Sequence, residues 1–135
     1  MNESESVTRE RQNGLNAQSE ILPIIRNFFN RDIIEVKERF SKYDFEDNEY
    51  IYELKSRTNT YSKYPTTLEP ADKICENWKK QIFLFKFTDG LYYINYSKEL
   101  FDTFEKRNYR RYRQDWNDKL KPYFFIPIDK LSKIL

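Results

Sequence analysis

Four residues open a chemical reading of this chain: Asp44, and the run Glu53-Leu54-Lys55 that follows nine residues later. Hydrolysis of a phosphodiester without imidazole needs a divalent cation that polarises the phosphate and lowers the pKa of water. Magnesium takes hard oxygen ligands, usually one or two carboxylates with waters and substrate oxygens. Asp44 and Glu53, placed on adjacent strands of a hairpin, supply two such ligands, and the Leu54 carbonyl supplies a third. Lys55 falls on the same strand face as Glu53, about 6–7 Å along. From there its ammonium orients an attacking water or offsets charge on the phosphate. The spacing alone is a weak signal, because Glu35-Val36-Lys37 repeats the Glu-x-Lys pattern. The later copy differs in context, with an Asp on the preceding strand, a turn between them, and Ile51 and Leu54 as strand anchors. The other reading of the same residues is a charged ladder on an exposed strand, which contributes little to stability.

What the chain lacks narrows the chemistry further. It has 135 residues and no His, which removes imidazole bases, Ser-His-Asp and Cys-His arrangements and His metal ligands. Its one Cys, Cys75, excludes an internal disulfide and a multi-Cys zinc site. Cys75 reads as a buried helix residue and not as a nucleophile. Gly14 and Gly90 are the only glycines, too few for a P-loop or a Gly-rich dinucleotide fingerprint. Carboxylates, Lys, Tyr, Ser/Thr and a hard cation are what remain.

The elements must then carry those groups. Length suits one domain with one core. A mean hydropathy of -0.93 is polar, yet 11 Phe, 11 Tyr and 2 Trp are more rings than a disordered chain carries. Residues 1–18 read as a flexible polar tail and 19–135 as the folded domain. Ile21, Leu22, Ile25, Phe28 and Phe29 lie on one helical face and predict a helix over about 19–30, with Pro23 as its kink or its true start. Residues 32–46 read as extended, and 40–57 as an antiparallel hairpin turned at Asp47-Asn48. In its second strand Tyr50, Tyr52, Leu54 and Ser56 share one face, and Ile51, Glu53, Lys55 and Arg57 the other. Ala71, Ile74, Cys75 and Trp78 predict a second helix over about 68–78, capped by Thr67. Asp89-Gly90 marks a hairpin between 81–88 and 91–97. Residues 98–120 read as a helix plus loop, Tyr123–Ile128 as a last strand, and Asp129–Leu135 as a short terminal helix. The order predicts a mixed α+β or α/β fold around one sheet.

Charge is uneven along the chain. The first 54 residues hold 7 Lys/Arg against 12 Asp/Glu, and the remainder 17 against 10. Such asymmetry fits a cation site on one side and an anionic partner on the other, or simply an uneven solvated surface. Lys106–Arg113 carries Arg107, Arg110, Arg111 and Arg113 among tyrosines and no acid, a pattern for phosphate contact and base stacking or for a solvated helix face. Arg57 follows Lys55 on one strand face and suits a phosphate or a salt bridge. Tyr64, Thr66 and Thr67 offer hydroxyls beside a helix N-terminus, to a phosphate or as caps. No stretch reaches the ~18 apolar residues of a membrane span, and no leader pattern opens the chain. The expectation is an intracellular soluble protein, cytoplasmic or nuclear.

The segments Tyr43-Asp44-Phe45, Tyr52–Arg57, Lys63–Thr67 and Lys73-Ile74 resemble the core of the PD-(D/E)xK nuclease superfamily, most of all small members from phages and large DNA viruses. Phe125–Leu131 is similar to the last strand of such proteins. The resemblance covers roughly residues 19–131. It implies a restriction-endonuclease-like αβββαβ core, a mixed sheet flanked by helices. It implies Asp44 and Glu53 as metal-binding acids, Lys55 as the catalytic lysine, and Glu20 as the helix acid that reaches the metal through water. It also turns Lys73 towards the site. Tyr43 stands where many members have Pro. The function implied is cleavage of DNA with Mg2+ or Mn2+, by a virus-encoded endonuclease or related nuclease that forms a homodimer if it makes paired cuts. The alternatives are a non-catalytic nucleic-acid-binding module on the same fold and a viral protein-interaction protein.

Overall fold

The computed structural model describes residues 18–38, 40–75, 79–110 and 120–135. It is a mixed α+β fold of one helix layer and two sheets. Helix α1 spans 18–29 and runs through Pro23 without a break. It ends at Asn30, whose φ of 53° is the left-handed conformation that Asn tolerates. There the Arg31 N–H reaches back to the Arg26 carbonyl and closes the last turn.

The larger sheet holds β1 (Ile34–Glu35), β2 (Phe45–Glu46), β3 (Tyr50–Ser56), β5 (Lys80–Phe87), β6 (Gly90–Asn95) and β9 (Ser132–Lys133), side by side in that order. All neighbours are antiparallel except β3 and β5, which run parallel from Tyr50↔Lys80 to Ser56↔Lys86. The smaller sheet pairs β4 (Thr66–Pro70) with β8 (Lys121–Pro127), and β8 with β7 (Glu105–Tyr109). A short helix α2, Lys98–Phe101, is capped by the Ser97 side chain.

The period-two pattern of β3 sorts its residues as the sequence predicts. Tyr52 packs with Phe45, Ile82 and Leu84 against Ile21 and Ile25 of α1. On the opposite face, Phe83, Phe85 and Phe87 of β5 pack with Phe124 and Ile126 of β8 and with Phe101 of α2. Glu53 and Lys55 sit on that second face, so the polar site is built where two sheets meet.

Four expectations are corrected. The helix predicted over 68–78 is absent: Thr66–Pro70 is a strand, Ala71–Lys73 a single 3-10 turn, and Ile74 is extended. Pairing with β8 outweighs a helical period that only Ala71, Ile74, Cys75 and Trp78 carried, and 76–78 lie outside the described residues. The connection from β3 to the parallel β5 is therefore a strand and a turn, where the resemblance implies a helix. Of the helix and loop read over 98–120, the described residues are helical only over Lys98–Phe101, and 111–119 lie outside the described residues. Glu105–Tyr109 is instead a strand, its exposed Lys106 and Arg107 lying over the rings of Phe124 and Phe125. Among the described residues of the extended stretch 32–46, only Ile34–Glu35 and Phe45–Glu46 form strands. The terminal helix over 129–135 is a 3-10 turn followed by β9, which pairs with Tyr92 and Tyr93. Of the tail read over 1–18, residues 1–17 lie outside the described residues, and Gln18 is instead the first residue of α1. Among those described, no helix is long and apolar enough to cross a membrane.

Candidate active site

The β2–β3 turn sets the distance between the acids. Asp47 at the turn accepts from the backbone N–H of Glu49 and Tyr50, from the Tyr52 hydroxyl and from Arg31. Burial alone would raise its carboxyl. Arg31, Tyr52 and the two N–H groups outweigh that and hold its pKa at about 2. With the turn closed, the Asp44 N–H bonds the Tyr52 carbonyl at 2.8 Å, one step past the Phe45↔Tyr52 pair. Asp44 therefore lies opposite Glu53.

Asp44 is held at both oxygens. Oδ2 accepts from the Leu54 N–H at 2.7 Å, and Oδ1 from Gln18 Nε2 of α1 at 2.8 Å. Burial raises its pKa, the Leu54 N–H opposes the shift, and neighbouring Glu53 adds to it. The Glu53 side chain is only 3% exposed. Its Oε1 lies 3.2 Å from Lys55 Nζ and 3.9 Å from Lys73 Nζ. Its Oε2 is buried with no hydrogen-bond donor among the described residues. Lys73, on the 3-10 turn, is steadied by buried Gln81. That amide donates to the Lys73 carbonyl at 2.8 Å and accepts from the Cys75 N–H. Cys75 sits half-buried just after the extended Ile74, not in a helix, and burial pushes its thiol up, away from thiolate chemistry.

Across from Glu53, on β4, lies Glu69. It is fully buried, and neither of its oxygens has a donor among the described residues. Burial and the facing Glu53 carboxylate push its pKa well above the ordinary range. The carboxylates thus come as two pairs that share Glu53, and no set of three acidic or sulfur ligands gathers into a ready cation cage among the described residues.

Lys55 also borders a cleft of about 580 Å³, whose walls include Arg57, Tyr61, Tyr64, Thr66 and Thr67. Arg57 donates through Nε to Thr67 Oγ1 at 3.2 Å and through Nη2 to the Leu68 carbonyl. It thereby ties the end of β3 to β4. Tyr64 is 52% exposed, with Lys63 Nζ over its ring. Thr66 and Thr67 lie in a strand, so their expected place at a helix N-terminus is corrected. Arg107 stacks on Phe125 and pairs with Glu105 on the small sheet, and Arg110 is exposed. Arg111 and Arg113 lie outside the described residues. Glu20 is exposed on α1, and the helix residue that bonds Asp44 is Gln18.

The structure therefore brings together Asp44, Glu53, Leu54, Lys55 and Lys73, with Arg57, Tyr64, Thr66 and Thr67 along the adjoining cleft. Sequence reasoning missed Glu69, Gln18 and Gln81. Their signal was slight: Thr67 and Glu69 alternate inward in a five-residue strand, and Gln18 stands at the margin of what reads as a tail. Compared with protein-family models, with curated proteins and with solved structures, the chain matches none.

Proposed function

We propose that this protein is a metal-dependent nuclease that hydrolyses phosphodiester bonds of DNA. One observation carries the reading. Asp44 and Glu53 are aligned across a strand pair, with the Lys55 ammonium between Glu53 and an open cleft.

The donor set fits a hard divalent cation such as Mg2+ or Mn2+. Asp44 and Glu53 offer carboxylate oxygens, the Leu54 carbonyl follows Glu53 on the same strand, and buried Glu53 Oε2 has no donor among the described residues. When bound, such a cation polarises the phosphate and lowers the pKa of water. The chain's own groups do the rest. Gln18 and the Leu54 N–H fix the Asp44 carboxylate, so its orientation is set before substrate arrives. Lys55, paired on one side with Glu53, presents its ammonium where a phosphate entering the cleft would meet it, orienting water and offsetting charge. Lys73 provides a second positive charge beside Glu53. Tyr64 offers an exposed ring for a base, and the cleft hydroxyls offer donors to the backbone.

Cleavage of supercoiled plasmid and of branched DNA tests this, run with Mg2+, with Mn2+ and with chelator. Wild type is expected to cut only with metal, and Glu53→Gln to lose that cutting with its circular dichroism unchanged. DNA binding without cutting in either metal would favour the binding module. Equal cutting by Glu53→Gln would show that the wrong residues are named. Tyr64→Ala should weaken DNA binding about tenfold, the scale of one lost base stack. Fluorescence anisotropy checks it, and the melting temperature should stay within a degree or two, since that ring is largely solvent-exposed.

A further inference from the structure

We infer that Glu69 is a cation ligand, and that Glu53 on the large sheet and Glu69 on the small sheet together hold a divalent cation between them. The inference rests on reading this site as a cation site and adds a residue to it. Three side-chain oxygens among the described residues are buried without a hydrogen-bond partner: Glu53 Oε2 and both oxygens of Glu69. Native interiors leave few such atoms, and each asks for a reason. Here all three belong to two facing carboxylates, and both residues are nearly or fully inaccessible, at 3% and 0% exposure.

The nearby ammonium groups do not resolve the pair. Lys55 and Lys73 approach the other oxygen, Glu53 Oε1. A shared proton would satisfy one O–H···O contact and leave Glu69 with an oxygen still without a partner. A hard cation takes oxygens from both carboxylates at once, and it favours the anionic form of each. The fold explains how Glu69 arrives there. In β4 it pairs with Phe124, whose side chain is in the inter-sheet core, so Glu69 and Thr67 both face inward. The strand that replaces the predicted helix is thus what delivers this carboxylate.

Glu69→Gln separates the two roles, because Gln is the neutral isostere of a protonated Glu and its amide can donate to Glu53 where a shared proton would otherwise sit. Binding of Mn2+ should be measured by calorimetry, with thermal melts in chelator and in Mn2+. We expect Glu69→Gln to melt near wild type in chelator, to bind Mn2+ at least tenfold more weakly, and to lose most of the Mn2+-induced rise in melting temperature. Wild-type Mn2+ affinity in Glu69→Gln would overturn the inference. If that variant does not fold, anomalous scattering from Mn2+ in crystals of the wild-type protein decides. An ion within about 2.0–2.6 Å of a Glu69 oxygen supports ligation, and an ion on Asp44 and Glu53 alone overturns it. The two readings fail separately. Mn2+ bound through Glu69 with no DNA cleavage by wild type would overturn the nuclease reading only. Unchanged cleavage and unchanged Mn2+ affinity in Glu69→Gln would overturn the role of Glu69 only.

Discussion

On the proposed nuclease reading, replacing Lys55 with Ala should lower metal-dependent DNA cleavage by about 10²–10³-fold, the usual loss when one pre-placed donor to a transition-state charge is removed. The expectation follows from where the ammonium sits. It is 3.2 Å from Glu53 Oε1 and on the wall of the cleft, so it belongs both to the acid pair and to the space a phosphate would occupy. The substitution has a second consequence that can be read separately. Without Lys55, buried Glu53 keeps only Lys73, at 3.9 Å, as an ion-pair partner among the described residues. Breaking a buried pair from one side is destabilising, here by about 2 kcal/mol because a partner remains. A divalent cation supplies the missing charge, so Lys55→Ala should gain more melting temperature from Mg2+ than wild type does. Single-turnover cleavage at saturating Mg2+ gives the rate, and melts with and without Mg2+ give the balance. Lys55→Arg keeps the charge and should recover the stability but only part of the rate, since the fork cannot place a compact ammonium. Cleavage by Lys55→Ala within threefold of wild type would mean that Lys55 only balances Glu53.

What was legible in the sequence was local. The alternation of Tyr50–Ser56 assigned the right faces to Tyr52 and Glu53, because one face of that strand meets α1 and the other looks towards β4 of the small sheet. Asp89-Gly90 marked the β5–β6 hairpin, and Tyr123–Ile128 read correctly as a strand. What failed was decided by partners far along the chain. Thr66–Pro70 becomes a strand because β8, roughly sixty residues later, offers Phe124 and Phe125 to pair with Glu69 and Leu68. Nothing local outweighed the helical spacing of Ala71, Ile74 and Cys75. Glu105–Tyr109 has no apolar alternation at all and is exposed throughout. It is a strand through its ladder to β8 and its cations over aromatic rings. The site divides in the same way. Asp44, Glu53 and Lys55 lie within one hairpin and were visible there. Glu69 was not, because burial of a carboxylate is a property of the assembled sheets and leaves no mark on its neighbours in sequence. Gln18 reaches Asp44 across 26 positions and could be placed only once α1 was laid on the large sheet.

The stability of the whole site depends on a residue outside it. Asp47→Ala is expected to destabilise the protein by about 3 kcal/mol, which is a fall of roughly 10 °C in melting temperature for a chain of this size. The side chain is 3% exposed and gathers four donors. Its loss strands the hydroxyl of Tyr52, which is fully buried, and frees the two N–H groups that shape the β2–β3 turn. Arg31 keeps Glu49 at 2.9 Å, so its cost is smaller. Asp47→Asn keeps an acceptor but not the charge, and isolates the ionic part, about 2 kcal/mol for a carboxyl held at about 2 against an ordinary 3.8. The sign of its pH dependence is set by that depression. The folded state holds the proton less tightly than the unfolded chain does. The contribution is therefore whole above about pH 5 and is mostly lost as pH falls to about 2. Urea unfolding of wild type and Asp47→Asn at pH 7, 5, 4, 3 and 2 should show a constant gap down to about pH 5 that mostly closes by pH 2. A gap that stays open at pH 2 would mean that shape and not charge holds this turn. Because the turn sets Asp44 opposite Glu53, Asp47→Ala should also cut more slowly at temperatures where it is still folded, and Asp47→Asn should lie between it and wild type.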